Sequence, residues 1–357
     1  MPGCTGKDET KKGRIKIDRK RTSIYEIAKE AGVSPATVSR VINQSARVSE
    51  DKRQRVLKVI DQYGFKPNAL AKGLSNSRSR VLGILSAWVD SPFYGRVISE
   101  CERATNERDY TLMIFSFSSD AEQERRHLEK MYEQCVDAVI ILGGSMDGIV
   151  IDERAISIMN YIAETVPVVV MGRSQGIPCY EVRIDEAGAM EMAMEYLIGL
   201  GHRDIAFLGG LENIYSSLEK RLAYQRVLRK YGLEFREEWM RCGDYNFEDG
   251  LCLMKKVLEG ERPTAVICIN DIFAAGVMQA IYEAGLRVPE DISVIGFDNT
   301  YISKIMSPPA SSVSCDYREL AQKLIGTAID AAEGREVPAR QLIKTTLHER
   351  KSCREIG

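Results

Sequence analysis

Long apolar runs are missing from this chain of 357 residues. None approaches the ~18 residues that cross a bilayer, which excludes a helical membrane-spanning protein. The first 21 residues carry Lys7, Lys11, Lys12, Arg14 and Lys16 with no apolar stretch behind them, so no secretory signal is expected there. Cysteine is present but unpaired in pattern. The nine cysteines form an odd number without a C-x-x-C pair, which argues for reduced thiols and against a disulfide framework or a zinc site. Histidine is scarce: His127, His202 and His348 stand far apart in sequence without metal-ligand spacing. There is no G-x-S-x-G elbow and no phosphate-binding G-x-x-x-x-G-K-[ST] loop. Gly199-Leu200-Gly201 lacks a third glycine and precedes a strand, the wrong order for a dinucleotide fingerprint. No catalytic residue, metal or cofactor is implied.

Net charge is also nearly absent, at −2, but this is a cancellation. Residues 1–80 hold 19 Lys+Arg and 8 Asp+Glu, net +11; residues 81–357 hold 30 and 43, net −13. Such asymmetry describes a polyanion-binding arm on an acidic body. A hydrophobic fraction of 44% is enough for sizeable cores, and the length corresponds to two or three domains.

Residues 1–21 are polar and aperiodic, and read equally as an inert solvated tail or as a basic arm. Helix signals then crowd together. Ser23-Ile24-Tyr25-Glu26 forms a capping box, and Ile24, Ile27, Ala28 and Ala31 follow helical spacing up to Gly32 as a left-handed stop. Ser34-Pro35 restarts a helix with Val38, Val41 and Ile42 on one face. Ser49-Glu50-Asp51 starts a third, with Val56, Val59, Ile60 and Tyr63 on one face and Gly64 as its cap. Pro67 breaks the chain, and the short helical stretch Ala69 to Leu74 contains Gly73, which weakens a helix by about 1 kcal/mol. This linker is expected to order only when something docks on it. After Arg80 short apolar runs at Val81–Leu85, Thr111–Phe115, Ala138–Leu142, Val168–Met171, Glu181–Ile184, Ile205–Leu208, Ala265–Ile269 and Ser293–Phe297 alternate with helical stretches. That rhythm is βαβ and predicts two α/β lobes with a cleft between facing C-terminal strand ends.

Residues 23–43, SIYEIAKEAGVSPATVSRVIN, closely resemble the helix-turn-helix of the lactose-repressor/galactose-repressor (LacI/GalR) family of bacterial regulators. Further landmarks follow in family order: Val48-Ser49-Glu50, Gly64 to Ala71, Ser91 to Tyr94, Gly201 to Ala206, Pro263 to Val266, Asn270-Asp271, Gly285 to Asn299 and Glu349 to Ser352. The resemblance implies an all-α helix-turn-helix DNA-binding domain followed by an α/β two-lobed effector domain like the periplasmic binding proteins. The expected division is a leader at 1–21, the DNA-binding domain at 22–66, a hinge helix at 67–79 and the effector and dimerisation domain at 80–352. Within the latter, lobe 1 is expected at about 80–179 plus 311–340, and lobe 2 at about 180–310 plus 341–352.

A second helix set in the major groove leaves Pro35, Ala36, Ser39 and Arg40 outward. Arg40 can grip guanine O6 and N7, while Pro35 and Ala36 offer apolar contact to thymine methyls. By resemblance Pro35, Ala36 and Arg40 match base-reading positions, and Tyr25, Ser34, Thr37, Ser39, Asn43 and Arg47 match backbone-contacting ones. In the hinge Asn68, Ala71 and Leu74 match DNA contacts, with Leu74 as a wedge in the minor groove. For the effector, the resemblance points to Arg221 and Asp298, with Asn270 and Asp271 after a strand and Trp88, Ser91, Phe93 and Tyr245 nearby. Arg221 also reads as a surface cation, and Asp271 as a helix cap.

The implied protein is a cytoplasmic, nucleoid-associated regulator, most often a repressor. It would act as a homodimer on a near-palindromic operator and answer a sugar-like effector, with a purine or a protein co-effector as alternatives. The lack of a heptad tail after Ser352 favours a dimer. A solute-binding receptor would need a signal peptide and no helix-turn-helix; an α/β enzyme would need a nucleophile or metal constellation that is not found. If Leu74 is a wedge, Leu74→Ala should weaken operator binding and spare effector binding; unchanged affinity in a DNA titration would refute the role.

Overall fold

The structure, a computed structural model, describes residues 23–43, 48–63, 78–117, 121–150, 153–174 and 176–356. The basic leader, Arg47, Asn68, Ala71 and Leu74 lie outside the described residues. The chain divides into two compact units, 1–79 and 80–357.

The first unit contains three helices, α1 (Ile24–Ala31), α2 (Pro35–Asn43) and α3 (Glu50–Gln62). Local chemistry sets their ends. The Ser23 hydroxyl accepts from Glu26 N at 3.3 Å, and Ser23 N donates back to Glu26 Oε2 at 2.7 Å, which closes the expected capping box. Gly32 ends α1 at φ 62°, a left-handed position that favours glycine. Ser34 Oγ accepts from Thr37 N at 3.2 Å, with Pro35 as the first residue of α2. The third start falls where expected, with Ser49 at the N-cap of α3 but without a side-chain cap bond. Ile27, Ala28 and Ala31 of α1 meet Val38 and Val41 of α2 and Val56 and Val59 of α3 in one small core.

The second unit holds two six-stranded sheets. Its elements run β1 (Val81–Ala87), α4 (Pro92–Asn106), β2 (Thr111–Phe117), α5 (Ala121–Glu133), β3 (Ala138–Leu142), α6 (Glu153–Ala163), β4 (Val168–Met171), β5 (Tyr180–Ile184), α7 (Glu186–Gly199) and β6 (Ile205–Leu208). They continue with α8 (Tyr215–Tyr231), β7 (Met240–Arg241), α9 (Phe247–Leu258), β8 (Ala265–Cys268), α10 (Asp271–Glu283), β9 (Ser293–Phe297), α11 (Tyr301–Ile305), β10 (Ser311–Cys315), α12 (Tyr317–Ala332), β11 (Arg340–Ile343) and β12 (Thr345–His348). The first sheet has the order β11-β5-β4-β3-β1-β2 and the second β12-β10-β9-β8-β6-β7. All pairings are parallel except β10 with β12. The central strands β1, β3, β4, β6, β8 and β9 are buried throughout, as expected of parallel strands covered on both faces.

The lobe boundaries need correction. β5 pairs with β4, so residues 180–184 belong to the first lobe, and the chain crosses after Ile184 rather than at 179/180. β10 pairs with β9, so 311–315 belong to the second lobe, and the return crossing follows Cys315. β11 pairs with β5 and carries the first lobe to Ile343. The serine-rich β10 lacks an apolar signal. Its hydroxyls are buried because each has a partner: Ser312 Oγ donates to Asp271 Oδ1 at 2.7 Å, and Ser311 Oγ accepts from Arg350 N at 2.9 Å.

His202 sits in the turn before β6 and is buried. Its ring contacts Thr264 Oγ1 at 2.9 Å, Ser293 Oγ at 3.1 Å and Arg354 O at 3.2 Å, which ties the C-terminal segment to the second lobe. No helix among the described residues is long and apolar enough to cross a membrane.

The second lobe also depends on two helices that touch backbone to backbone. A Cβ on Gly276 of α10 would fall 2.1 Å from Phe247 O, and one on Gly250 of α9 would fall 2.3 Å from Phe273 O. Gly276→Ala should therefore destabilise the unit by about 1–3 kcal/mol. Gly326→Ala, inside α12 with nothing within 4 Å of the added carbon, should stabilise it by about 0.5–1 kcal/mol. Urea midpoints at unchanged slope read both signs.

Candidate nucleic-acid interface and ligand cleft

In the first unit the valines of α2 face inward, which turns the other side of the helix to solvent. Pro35, Ala36 and Arg40 are exposed, Thr37 and Ser39 half-buried, and Tyr25 of α1 is 72% exposed. Ser34 and Thr37 hold each other at 2.9 Å as part of the cap, next to the exposed side of the helix. Arg40 has no hydrogen-bond or ion-pair partner among the described residues, so its guanidinium fork is free. Asn43 is the last residue of α2. An uncommitted arginine beside small apolar side chains on a capped, well-packed helix is suited to reading base edges in a major groove.

The second unit has a cavity of about 650 Å³ between its lobes. It lies at the C-terminal ends of both parallel sheets, where open α/β sheets present ligand groups. Trp88 follows β1, Asn270 follows β8 and Asp298 follows β9. Of the residues expected at an effector site, Trp88, Ser91, Phe93, Tyr245, Asn270 and Asp298 line this cavity.

Arg221 and Asp271 do not line it. Arg221 is buried and donates to Leu211 O and Glu212 O, both at 3.0 Å, so it braces the loop after β6. Asp271 accepts from Thr300 N at 2.6 Å, Thr300 Oγ1 at 2.9 Å and Ser312 Oγ at 2.7 Å. It supports the loop that carries Asp298 rather than capping α10, whose N-cap is Asn270. In both cases loop acceptors or donors that no pattern in the sequence advertises have claimed the side chain.

Asp298 and Asn299 have φ of 88° and 48°, consecutive left-handed positions that cost strain unless the surroundings impose them. They do. Asp298 N donates to Val313 O at 2.8 Å, Tyr317 Oη donates to Asp298 O at 2.6 Å, and Asn299 N donates to Ser312 Oγ at 2.9 Å. Burial pushes the Asp298 carboxyl well above the usual carboxylate range; Asp271 adds to this, and Lys220 opposes it. Asn270 is less free than its place suggests, since Oδ1 accepts from Phe273 N at 2.8 Å and Nδ2 donates to Tyr245 O at 3.1 Å.

Several lining residues were not anticipated from the sequence. Glu186 and Lys220 form an ion pair at the base of α7 and α8, and the Lys220 ammonium lies 5.0 Å from the Phe297 ring centroid. Asp147 and Tyr94 face the cavity from the first lobe, and Ser216 faces it from the second. A Cβ on Gly143, at φ 73°, would fall 2.2 Å from Tyr94 Oη, so this wall requires glycine. A lysine beside Arg221 on the inward stripe of α8 was the one legible clue to the ion pair.

The lobes are bridged directly. Ser216 Oγ donates to Asp147 Oδ2 at 2.7 Å, Arg173 pairs with Glu219 at 3.1 Å, Arg96 donates to Asn299 O at 3.1 Å, and Ile149 N donates to Asn213 O at 2.8 Å. Trp88 and Tyr245 meet across the cleft with ring centroids 6.2 Å apart. Burial pushes the Tyr245 hydroxyl up to about 12, partly opposed by its 2.7 Å hydrogen bond with Ser217.

A capped helix-turn-helix unit and a two-lobed cleft unit together define a DNA-binding transcriptional regulator. Residues 23–68 match the bacterial regulatory proteins of the lacI family, and residues 194–353 match the periplasmic binding protein-like domain. The catabolite control protein A of Priestia megaterium is 33% identical over 82% of this chain and 86% of its own length. The chain belongs to the lacI family of bacterial regulatory proteins. Among solved structures it is similar to the Lac repressor dimer bound to operator and the anti-inducer ONPF, with TM-score 0.83 and 27% identity. That likeness covers 94% of this chain and all of that one. It is also similar to a complex of the transcriptional regulator CelR with cellobiose, with TM-score 0.70 and 26% identity, over 93% of this chain and all of that one.

Asp147 provides a pH test of the bridge. Burial raises its carboxyl from 3.8 to about 6, against the Ser216 hydrogen bond and with a further push from Glu186. A folded pKa above the unfolded one means that ionisation opposes the folded state. The cost is absent below about pH 4, grows between about 4 and 6, and is complete above that. Asp147→Asn should therefore gain stability over the parent across that window and hold a constant advantage, on the order of 1 kcal/mol or more, at higher pH. Parallel urea-stability profiles for the two proteins from pH 4 to 7 would rule this out.

Proposed function

We propose that this regulator is a cytoplasmic, nucleoid-associated homodimer that reads a near-palindromic operator and exchanges it under control of a small hydroxylated ligand bound between the lobes. The observation that carries the DNA half is the exposed face of α2, with Arg40 uncommitted beside Pro35 and Ala36. Arg40 reads a guanine bidentately, and the two apolar side chains select thymine methyls nearby. Tyr25, Ser34, Thr37, Ser39, Asn43 and Arg47 hold the phosphate backbone. Asn68, Ala71 and Leu74 extend the contact into the minor groove. The reading of a dimer on an operator is supported by the likeness to the Lac repressor dimer bound to its operator.

The ligand half rests on the cleft. Polar groups from both lobes converge on one cavity with aromatic walls, the arrangement that small hydroxylated molecules require. Trp88, Ser91, Phe93, Tyr245, Asn270 and Asp298 contact the ligand, while Arg221 and Asp271 hold the loops that present them. A sugar-like effector is favoured by the similarity to a regulator solved with cellobiose. Control follows from differential affinity: an inducer must bind the conformation that releases DNA more tightly than the one that holds it.

Selection of bound duplexes from a random DNA pool by the full-length protein should return a two-fold symmetric site. Arg40→Ala should then weaken binding to that site about ten- to a hundredfold and relax one position in each half-site. Binding of the parent should fall with salt at a slope of about −0.9 per phosphate neutralised. Recovery of no consensus, or a flat salt response, would contradict the reading.

A further inference from the structure

The charges that face the cavity are lopsided. Asp90, Glu124 and Asp147 from the first lobe, and Glu186 and Asp298 from the second, line the same space, and Asp244 and Glu248 stand on its second-lobe side. Lys220 is the only cationic side chain among the described residues that line it. Its ammonium is committed to Glu186 and lies over the Phe297 ring. Asp147, Glu186 and Asp298, the inner group around Lys220, thus carry two negative charges in excess when ionised.

The three inner carboxylates differ in what they have left to offer. Glu186 is held by Lys220, and Asp147 accepts a hydrogen bond from Ser216. The Asp298 carboxylate has no hydrogen-bond partner among the described residues. Its backbone is locked in a left-handed conformation by Val313 and Tyr317, which fixes where the side chain stands. Burial in the cleft makes this unpartnered group keep its proton, and an arriving cation would favour its charged form. The walls suit one kind of donor especially. Trp88, Tyr94, Tyr245 and Phe247 present aromatic rings that attract a cation as well as sugar C–H faces.

We propose that the ligand of the cleft is a polyhydroxylated amine, of the amino-sugar class, whose ammonium is received by Asp298 with Asp147 and Glu186 nearby. The inference rests on the reading of the cleft as the effector site and narrows its ligand class. A phosphorylated or carboxylated sugar would add a negative charge to a group already in excess and leave Asp298 without a donor. A neutral sugar would satisfy hydrogen bonds but not the charge. Hydrogen bonds to charged groups are the stronger kind, and the amine should outbind its neutral counterpart about tenfold or more.

The test uses the full-length protein and sets of probes matched in all but charge. These are glucosamine, glucose and glucuronate; galactosamine, galactose and galacturonate; and the β-1,4 glucosamine dimer beside cellobiose. Each is titrated by calorimetry and scored by thermal shift. The expected result is binding by at least one amine, about tenfold or more tighter than its neutral partner, with no detectable binding of the acid. Asp298→Asn should bring the ratio of amine to neutral affinity close to one. A neutral or acidic member that binds as tightly as its amine overturns the charge assignment and leaves the cleft as an effector site. A ratio unchanged in Asp298→Asn overturns the role of Asp298. Failure of every probe overturns both the charge assignment and the sugar-like reading beneath it.

Discussion

The second unit is built around three connections, each one residue long. Asp185 stands alone between β5 and α7, Asp316 between β10 and α12, and Lys344 between β11 and β12. Every crossing leaves from the C-terminal end of a parallel strand, so the two sheets present those ends to the same space. Two of the crossings are also helix starts. Asp185 accepts from Gly188 N at 3.0 Å, and Asp316 accepts from Arg318 N at 2.8 Å and Glu319 N at 3.1 Å. A carboxylate at a helix N-terminus satisfies donors that would otherwise be unmet and is favoured by the helix dipole. The cleft inherits its position from these three points: five of the six residues beside them, Ile184, Glu186, Cys315, Tyr317 and Thr345, line it.

Polar side chains do two different tasks around that cleft, and the difference follows from what each can reach. Asp271, Arg221 and Ser312 are hydrogen-bonded to neighbouring segments of the chain, so they hold backbone in place. Asp298 stands on the backbone they hold, with its own carboxylate unspent. The strain at Asp298 and Asn299 persists because Val313, Ser312, Tyr317 and Arg96 bind all four backbone polar atoms of these two residues. A binding group fixed in this way loses little conformational freedom when a ligand arrives, which favours affinity and selectivity together.

Much of this was legible in the sequence, for identifiable reasons. The head could be read because its helices carry their own start and stop chemistry in Ser23, Gly32 and Ser34-Pro35. The central strands could be read because burial on both faces demands unbroken apolar runs such as Ala138–Leu142. β10, β11 and β12 escaped because their hydrogen-bond partners, not their hydrophobicity, place them in the sheets; Ser311, Ser312 and Ser314 of β10 are all hydrogen-bonded side chains. That gap put the lobe boundaries a few residues away from the true crossings. Six of eight expected cleft residues line the cavity, while the Glu186–Lys220 pair and Asp147 were not visible. Their meeting depends on the fold of two lobes, of which the lysine on the inward stripe of α8 is the only local trace.

The one-residue connectors have a mechanical consequence. They leave little slack for one lobe to slide away from the other, so a change in lobe angle would fall on backbone torsions at or beside Asp185, Asp316 and Lys344. A small rotation there becomes a large displacement at the far edge of each lobe, as at the rim of a hinged cover. A molecule held beside these connectors would act on the short arm of that lever.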